Sequence, residues 1–309
     1  SGYLDFLRSQ IKVQIDNGRK REDGQLLVPV RYGPEGWDWG QAPGLHKIDG
    51  LEMRGYWLEP TPMRGQEIMH LYHASMRQED YELITQVRDG DVERDWNELG
   101  TLGEKNWGNT EFARFQYYDG RNPGWPEQIL AAEYQQALDT YESMRTDERS
   151  QFDIISTNQI PGQPVLTKGL TQVTLGAPQS VYNGGLLRAT VRYYDPDRGR
   201  PGLPLDVAAL VDELGPKTVG IQLVNTNHNE TRTLVVQAGA FGEHQFTGLR
   251  YREQGKDGET AVAVDGKYFS VELPPSTSAR IEAGLSRFCN TPGYAFPWHG
   301  DGIPVPFPS

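Results

Sequence analysis

The stretch VGIQLVNTNHNETRTLVVQAGAF, residues 219–241, decides the fold of the second half of the chain. It contains two apolar runs, Val219–Asn225 and Thr231–Gln237, separated by a short polar segment. β-Branched and aliphatic residues bounded by turn-forming residues are typical of β-strands. The stretch therefore predicts two strands joined by a short connection.

Similar runs recur at even spacing around this stretch, which is the pattern of an antiparallel β-sandwich. They are Val165–Leu175, Leu186–Tyr194, Glu243–Tyr251, Ala261–Val264, Tyr268–Leu273 and Ala279–Leu285. The dipeptide Asp265-Gly266 predicts a hairpin turn between two of these strands. Leu205–Leu214 interrupts the series and predicts a short helical insert.

The first half of the chain has helical periodicity instead. Apolar residues three and four positions apart predict a helix over Tyr3–Asn17, and Gly18 ends it. Two further helices are predicted over Gln66–Met76 and Gln78–Arg88. Pro126–Arg145 is the clearest helix, because proline suits the first helical position and apolar residues form one face. This face comprises Leu130, Tyr134, Leu138 and Tyr141.

Composition changes near residue 150. All five methionines precede that point, whereas 5 valines precede it and 14 follow it. Valine favours strands and methionine favours helices. We therefore expect an α+β multidomain chain with an α-rich region followed by an antiparallel β-sandwich. The expected parts are the α-rich region (residues 1–150), a linker (151–164), the β-sandwich (165–289) and a Pro-rich C-terminal strap (290–309).

Composition also excludes several classes of protein and site. The single cysteine, Cys289, excludes an intramolecular disulfide and a cysteine-based metal site within the chain. A net charge of −12 argues against a nucleic-acid partner, since phosphate binding needs clustered Lys and Arg. No apolar run is long enough to span a membrane, and the chain as given opens without a signal peptide. We expect a soluble chain, and the sequence does not assign it to a cellular compartment.

Two stretches resemble known proteins. Residues 219–241 and residues 268–285 (YFSVELPPSTSARIEAGL) resemble the C-terminal sandwiches of glycoside hydrolases, in which a Leu-Pro-Pro-x-Ser corner joins the last two strands as a hairpin. The helical region with its aromatic loops is similar to the end of an (α/α) toroid. Toroids followed by sandwiches occur in glycoside hydrolases and polysaccharide lyases. The resemblance implies a carbohydrate-active enzyme with a carbohydrate substrate, and it assigns no catalytic residue.

A segment rich in acids and aromatics, Asp89–Gly124, has no clean period and is the main candidate site. Glycoside hydrolysis needs two carboxyl groups that flank the scissile bond, and Asp95, Glu111 and Asp119 are the candidates. Aromatic rings stack on sugars, while amides and guanidinium groups bind hydroxyls. The residues predicted to bind substrate are Trp37, Trp39, Trp96, Asn97, Trp107, Asn109, Arg114, Tyr117 and Trp125.

Two histidines on one predicted helix are the second candidate. Glu67, His70 and His73 are spaced three residues apart, so they spread over about a third of the helix circumference. Either histidine could act as acid or base. The His-Glu-x-x-His spacing of zinc proteases is absent, and we expect no metal and no cofactor. In a polysaccharide lyase, these histidines or Tyr72 would abstract the proton, and Asn109 or Arg114 would neutralise the carboxylate of the uronic acid.

A third hypothesis is that the chain is not an enzyme but a glycan-binding or structural subunit of a larger assembly. The helices Tyr3–Asn17 and Pro126–Arg145 have wide apolar faces, and few helices are predicted to cover them. Exposed apolar faces of that size mark interfaces. The partner would be a missing N-terminal portion or a second protein chain. A first residue other than methionine fits the C-terminal part of a larger polypeptide, or equally a processed start.

Overall fold

The computed structural model describes residues 2–28, 46–47, 56–57, 61–63, 66–99, 108–156, 168–175, 189–253 and 258–298. The chain is α+β, as predicted. The helices in these ranges are α1 (Gly2–Asp16), α2 (Gln66–Ser75), α3 (Gln78–Asp89), α4 (Gly108–Tyr118), α5 (Trp125–Arg145), α6 (Gln151–Ser156) and α7 (Lys168–Leu175). None of them is long and apolar enough to cross a membrane.

Most strands lie in the second half. The strands in the described ranges are β1 (Arg19–Lys20), β2 (Leu26–Val28), β3 (His46–Lys47), β4 (Tyr56–Trp57), β5 (Thr61–Pro62), β6 (Val191–Asp195), β7 (Arg200–Pro201), β8 (Val207–Leu214), β9 (Thr218–Asn225), β10 (Arg232–Ala238), β11 (Gln245–Glu253), β12 (Thr260–Val262), β13 (Tyr268–Leu273) and β14 (Ser278–Ser286).

The described residues form two compact units, one ending at Phe115 and the other beginning at Gln116. In the first unit, α1, α2 and α3 contact one another beside a small antiparallel sheet of order β1-β2-β5. A buried ion pair joins α1 to α3: Nε and Nη2 of Arg8 donate to the carboxylate of Asp80 at 2.5 and 2.8 Å. Asp80 is completely buried, so Arg8 supplies the charge and hydrogen bonds that its carboxylate needs.

Two antiparallel sheets dominate the second unit. Their strand orders are β13-β10-β6-β7 and β12-β11-β14-β9-β8. Side chains alternate along each strand, so that Val219, Ile221 and Leu223 of β9 are buried while Gln222 is exposed. Buried residues of both sheets belong to one hydrophobic cluster, in which Phe246 of one sheet packs edge-on against Phe269 of the other at 4.7 Å.

Two predicted elements are wrong. Leu205–Leu214 is not a helical insert, since Val207–Leu214 forms β8 and pairs along β9. Helix-favouring residues in this run are overridden by pairing with the neighbouring strand. Val165–Leu175 is not a strand over its described part, because Lys168–Leu175 forms α7. Its β-branched residues are accommodated because the helix packs against α5.

Both predicted hairpins are also wrong. The strands on either side of Asp265-Gly266, β12 and β13, belong to different sheets. The Leu-Pro-Pro corner likewise connects β13 of the four-stranded sheet to β14 of the five-stranded sheet. A turn-forming dipeptide reports a change of chain direction, but the partner of each strand depends on the rest of the fold.

The boundary between the two compact units lies within α4, whereas the amino-acid composition of the chain changes near residue 150. The sequence of Asp89–Gly124 has no clean helical or strand period, yet this segment contains α4. In the described part of the predicted strand Leu186–Tyr194, β6 begins at Val191. Residues 290–298 of the strap lie against the second unit: Tyr294 and Phe296 are buried, and Trp298 contacts Tyr194 edge-on.

Candidate functional site

The turn with Asp95, Trp96 and Asn97 follows α3 in the first unit. Asp95 is exposed, and its carboxylate accepts the backbone N–H of Asn97 at 2.9 Å. Trp96 is only 4% exposed; its ring packs 4.4 Å from Phe112, and its Nε1 donates to Asp91 at 3.1 Å. Trp96 is therefore a core residue rather than an open platform for a sugar.

The predicted histidines lie on α2, inside the first unit. His73 is buried, and Nε2 of His70 is buried without a hydrogen-bond partner among the described residues. Tyr72 is fully buried and packs edge-on against Phe115 of α4. Arg114 on α4 is fully buried as well. Within the described ranges, no group of three His, Cys, Asp or Glu could hold a metal ion.

Three other predicted residues lie in the second unit. Asp119 is buried and forms an ion pair with Arg121 at 2.8 Å. Tyr117 stacks on Trp125 with 5.3 Å between ring centroids, and burial raises the pKa of Tyr117. Trp125 is fully buried, so its ring fills the core instead of facing a ligand.

The remaining predicted residues have side chains that are not among those the structure describes. Trp37, Trp39 and Trp107 are outside the described residues. Asn109 and Glu111 lie on α4, but the description does not extend to their side chains. Of the predicted carboxylates whose side chains are described, Asp95 belongs to the first unit and Asp119 to the second.

An exposed row of apolar side chains runs along α5. We call this row the α5 face; it comprises Leu130, Tyr134, Leu138, Tyr141 and Met144. Tyr134 is 67% exposed and Tyr141 is 58% exposed. The apolar face predicted for this helix, Leu130, Tyr134, Leu138 and Tyr141, is therefore exposed, and the buried residues of the helix are Trp125, Ile129 and Glu133.

The carboxylate of Glu133 holds α5 in this orientation. It accepts the backbone N–H of Gly169 at 2.8 Å and that of Leu170 at 3.1 Å, in the first turn of α7. These N–H groups have no partner within their own helix, and the positive end of the helix dipole favours a carboxylate there. A Cβ on Gly169 would lie only 3.2 Å from the carbonyl oxygen of Ile129, so the two helices touch closely. The centre of the α5 face lies roughly 100° around the helix from this contact, and its side chains are exposed.

Charged residues lie at both ends of the α5 face. Glu127 is in the first turn of α5 and Arg145 in the last, and each sign is favourable there for the helix dipole. Arg145 also pairs with Glu142 at 2.6 Å, and this hydrogen bond lowers the pKa of Glu142. The exposed apolar row therefore has an acidic residue, Glu127, at its N-terminal end and the Glu142–Arg145 ion pair at its C-terminal end.

A cleft lies between residues of β11, β12, β13 and β14. This cleft of about 390 Å³ is lined by Leu249, Tyr251, Val262, Val271 and other residues of β11–β14. Its size is within the range of small-ligand sites. Tyr251 supplies the one aromatic ring among its described lining residues, so the cleft lacks the paired platforms that sugars favour.

Residues 1–171 match the family described as Domain of unknown function (DUF8034). The chain belongs to this family. No curated protein and no solved structure matches the chain. The DUF8034 region contains the first unit and all of α5, whereas the two large sheets follow it.

The spacing of apolar residues in the sequence of α5, within the DUF8034 region, indicates which side of the helix is suited to packing. Leu130, Tyr134, Ala137, Tyr141 and Met144 follow one another at alternating spacings of four and three. That spacing is typical of a seam between two packed helices. Glu133, which fixes the orientation, had no comparable signal, since its contacts with α7 are 36 and 37 residues away in sequence.

Proposed function

We propose that this chain is a non-catalytic structural subunit that docks onto a protein surface through the α5 face. The observation that supports this is the exposure of five large apolar side chains on one helix. Contiguous apolar patches of several hundred Å² on a protein surface mark interaction sites. Because Glu133, at the edge of this face, is bound to the first turn of α7, a rotation of the helix that buried the face would break these two hydrogen bonds.

The size of the face suits docking. At roughly 150–250 Å² for a large side chain, the exposed fractions of the five residues amount to roughly 500 Å². Removing that area from water contributes roughly 10 kcal/mol. Association itself costs about 4–15 kcal/mol. The two quantities are comparable, so a stable complex must cover nearly the whole face.

We further propose that the two large sheets pack as a β-sandwich. The supporting observation is their shared hydrophobic cluster, with Leu234 and Val236 from one sheet and Ile221 and Ile281 from the other. The likeness of the helical region to the end of a toroid stays a prediction. A sandwich would present α5 and its face as the docking part of a rigid unit.

Carbohydrate binding, glycoside hydrolysis and lyase activity stay predictions. Trp96 and Trp125 are buried, and Asp119 is buried in an ion pair. An active site on this chain would therefore depend on Asp95 together with residues such as Glu111 and Trp107, whose side chains are outside the description.

Site-specific photo-crosslinking tests the docking role. A photoreactive phenylalanine analogue replaces Tyr134 in the chain expressed in its own host, and Asp139 on the opposite side of α5 carries it in the control. We expect one discrete cross-linked species from position 134 and none from position 139. Equal labelling from both positions, or none from position 134, would refute docking through the α5 face.

A further inference from the structure

We infer that the partner on the α5 face is a second copy of this chain, whose α5 packs against the first in antiparallel orientation. This inference rests on the proposed docking function and names its partner. The argument uses three properties of α5: the spacing of its apolar residues, their sizes, and the charges at its ends.

The spacing of the seam suits a pair of helices. Leu130, Tyr134, Ala137, Tyr141 and Met144 alternate at four and three residues, so they stay on one side of the helix when two helices coil gently around each other. Leu138 widens the same side and is 43% exposed. The opposite side of α5 carries the polar residues Gln135 and Asp139, which hydrogen-bond to each other at 2.8 Å.

The sizes of these residues are self-complementary about a two-fold axis. In an antiparallel pair centred between Gln135 and Gln136, Tyr134 faces Ala137 of the second copy, and Leu130 faces Tyr141. Each large ring thus meets a smaller side chain, and the same contacts recur on the other side of the axis. An interface of this kind is isologous and closes at two copies.

The end charges decide the orientation. In the same register, Glu127 lies beside Met144 and Arg145 of the second copy, so opposite charges meet at both ends. In a parallel pair, Glu127 would lie beside Glu127 and Arg145 beside Arg145, and the helix dipoles would also be aligned unfavourably. Covering both faces would bury roughly 1,000 Å² in total, which is the lower bound for a specific interface.

A charge exchange tests the antiparallel pair directly. Glu127→Arg and Arg145→Glu each place like charges at both ends of the pair. We expect wild type to be a dimer by light scattering after gel filtration, and each single variant to dissociate about tenfold or more readily. Asp139→Arg makes the same charge change as Glu127→Arg, but on the opposite side of α5, and should leave the dimer intact.

Mixing the two single variants supplies the decisive measurement. In the mixture every introduced charge faces an opposite charge, so a heterodimer should form with near wild-type affinity. Its formation also proves that both variants are folded. A wild-type chain that is monomeric, or a dimer unaffected by the single variants, would overturn the inference.

The two proposals fail in different ways. If the chain is monomeric and Tyr134 cross-links to a protein of different mass, self-pairing is refuted while docking through the α5 face stands. If the cross-linked species has twice the mass of the chain and the mixed variants form a heterodimer, both stand. If position 134 gives no cross-link and the chain is monomeric, both are wrong.

Discussion

Replacing Glu133 with alanine removes the carboxylate that connects α5 to the first turn of α7. The backbone N–H of Gly169, which is buried, then has no acceptor, and a buried unsatisfied donor costs about 1–3 kcal/mol. The N–H of Leu170 is only partly buried and can be hydrated, so its loss is closer to the ordinary cost of a helix cap, about 1 kcal/mol. We expect Glu133→Ala to lower the free energy of unfolding by about 2–4 kcal/mol.

For a unit of this size that loss corresponds to a fall in Tm of roughly 4–16 °C. Differential scanning calorimetry measures it, and hydrogen exchange at Gly169 and Leu170 localises it to α7. Asp139→Ala is the matched control, because it removes an exposed carboxylate from the same helix. If Glu133→Ala and Asp139→Ala have the same Tm and the same exchange rates at α7, the proposed anchoring of α5 is wrong.

Three further outcomes are expected. Asp80→Ala removes the buried partner of Arg8 and leaves it only the exposed carboxylates of Asp5 and Glu79, so urea denaturation should show a loss of about 3 kcal/mol, the low end for a broken buried pair; a loss below 1 kcal/mol would contradict the buried pair. Burial raises the pKa of Glu243 above its ordinary value of 4.5, so this carboxyl favours folding while protonated and loses that contribution as the pH rises through its folded pKa. The unfolding free energy of Glu243→Gln relative to wild type should therefore increase as the pH rises above 4.5, and a constant difference across that range would refute the raised pKa. Deleting the chain from Asn290 onward removes the buried ring of Tyr294 from its contacts in the second unit, and a loss of about 3–5 kcal/mol should appear as a lower Tm, whereas an unchanged Tm would mean that the strap is not docked.

Elements with strong local periodicity were predicted well. α1 and α5 begin and end within one residue of their predicted bounds, and β13 coincides with its predicted range. Their signals are local: the apolar spacing, the proline in the first turn of α5 and the glycine after α1. Each of these acts on neighbouring residues, so a single segment of sequence contains the whole cause.

Elements that depend on pairing with another segment were predicted poorly. β8 is a strand because it pairs along β9, which follows it after a short turn, and α7 is a helix beside α5 with its first turn held by Glu133, 36 residues away in sequence. Similarly, β12 and β13 look like a hairpin in sequence but belong to different sheets. Local propensity differs by less than 1 kcal/mol between such alternatives, so tertiary contacts decide among them.

The sequence by itself determined that α5 is amphipathic and which four side chains, Leu130, Tyr134, Leu138 and Tyr141, form its apolar row. Only the tertiary structure decided that Met144 extends this exposed row and that Ile129 and Glu133 face the core. The physical reason is that periodicity fixes which residues share a side of a helix, while burial of that side depends on what packs against it. Here two backbone N–H groups of α7, distant in sequence, bind Glu133 and leave the apolar row to a partner.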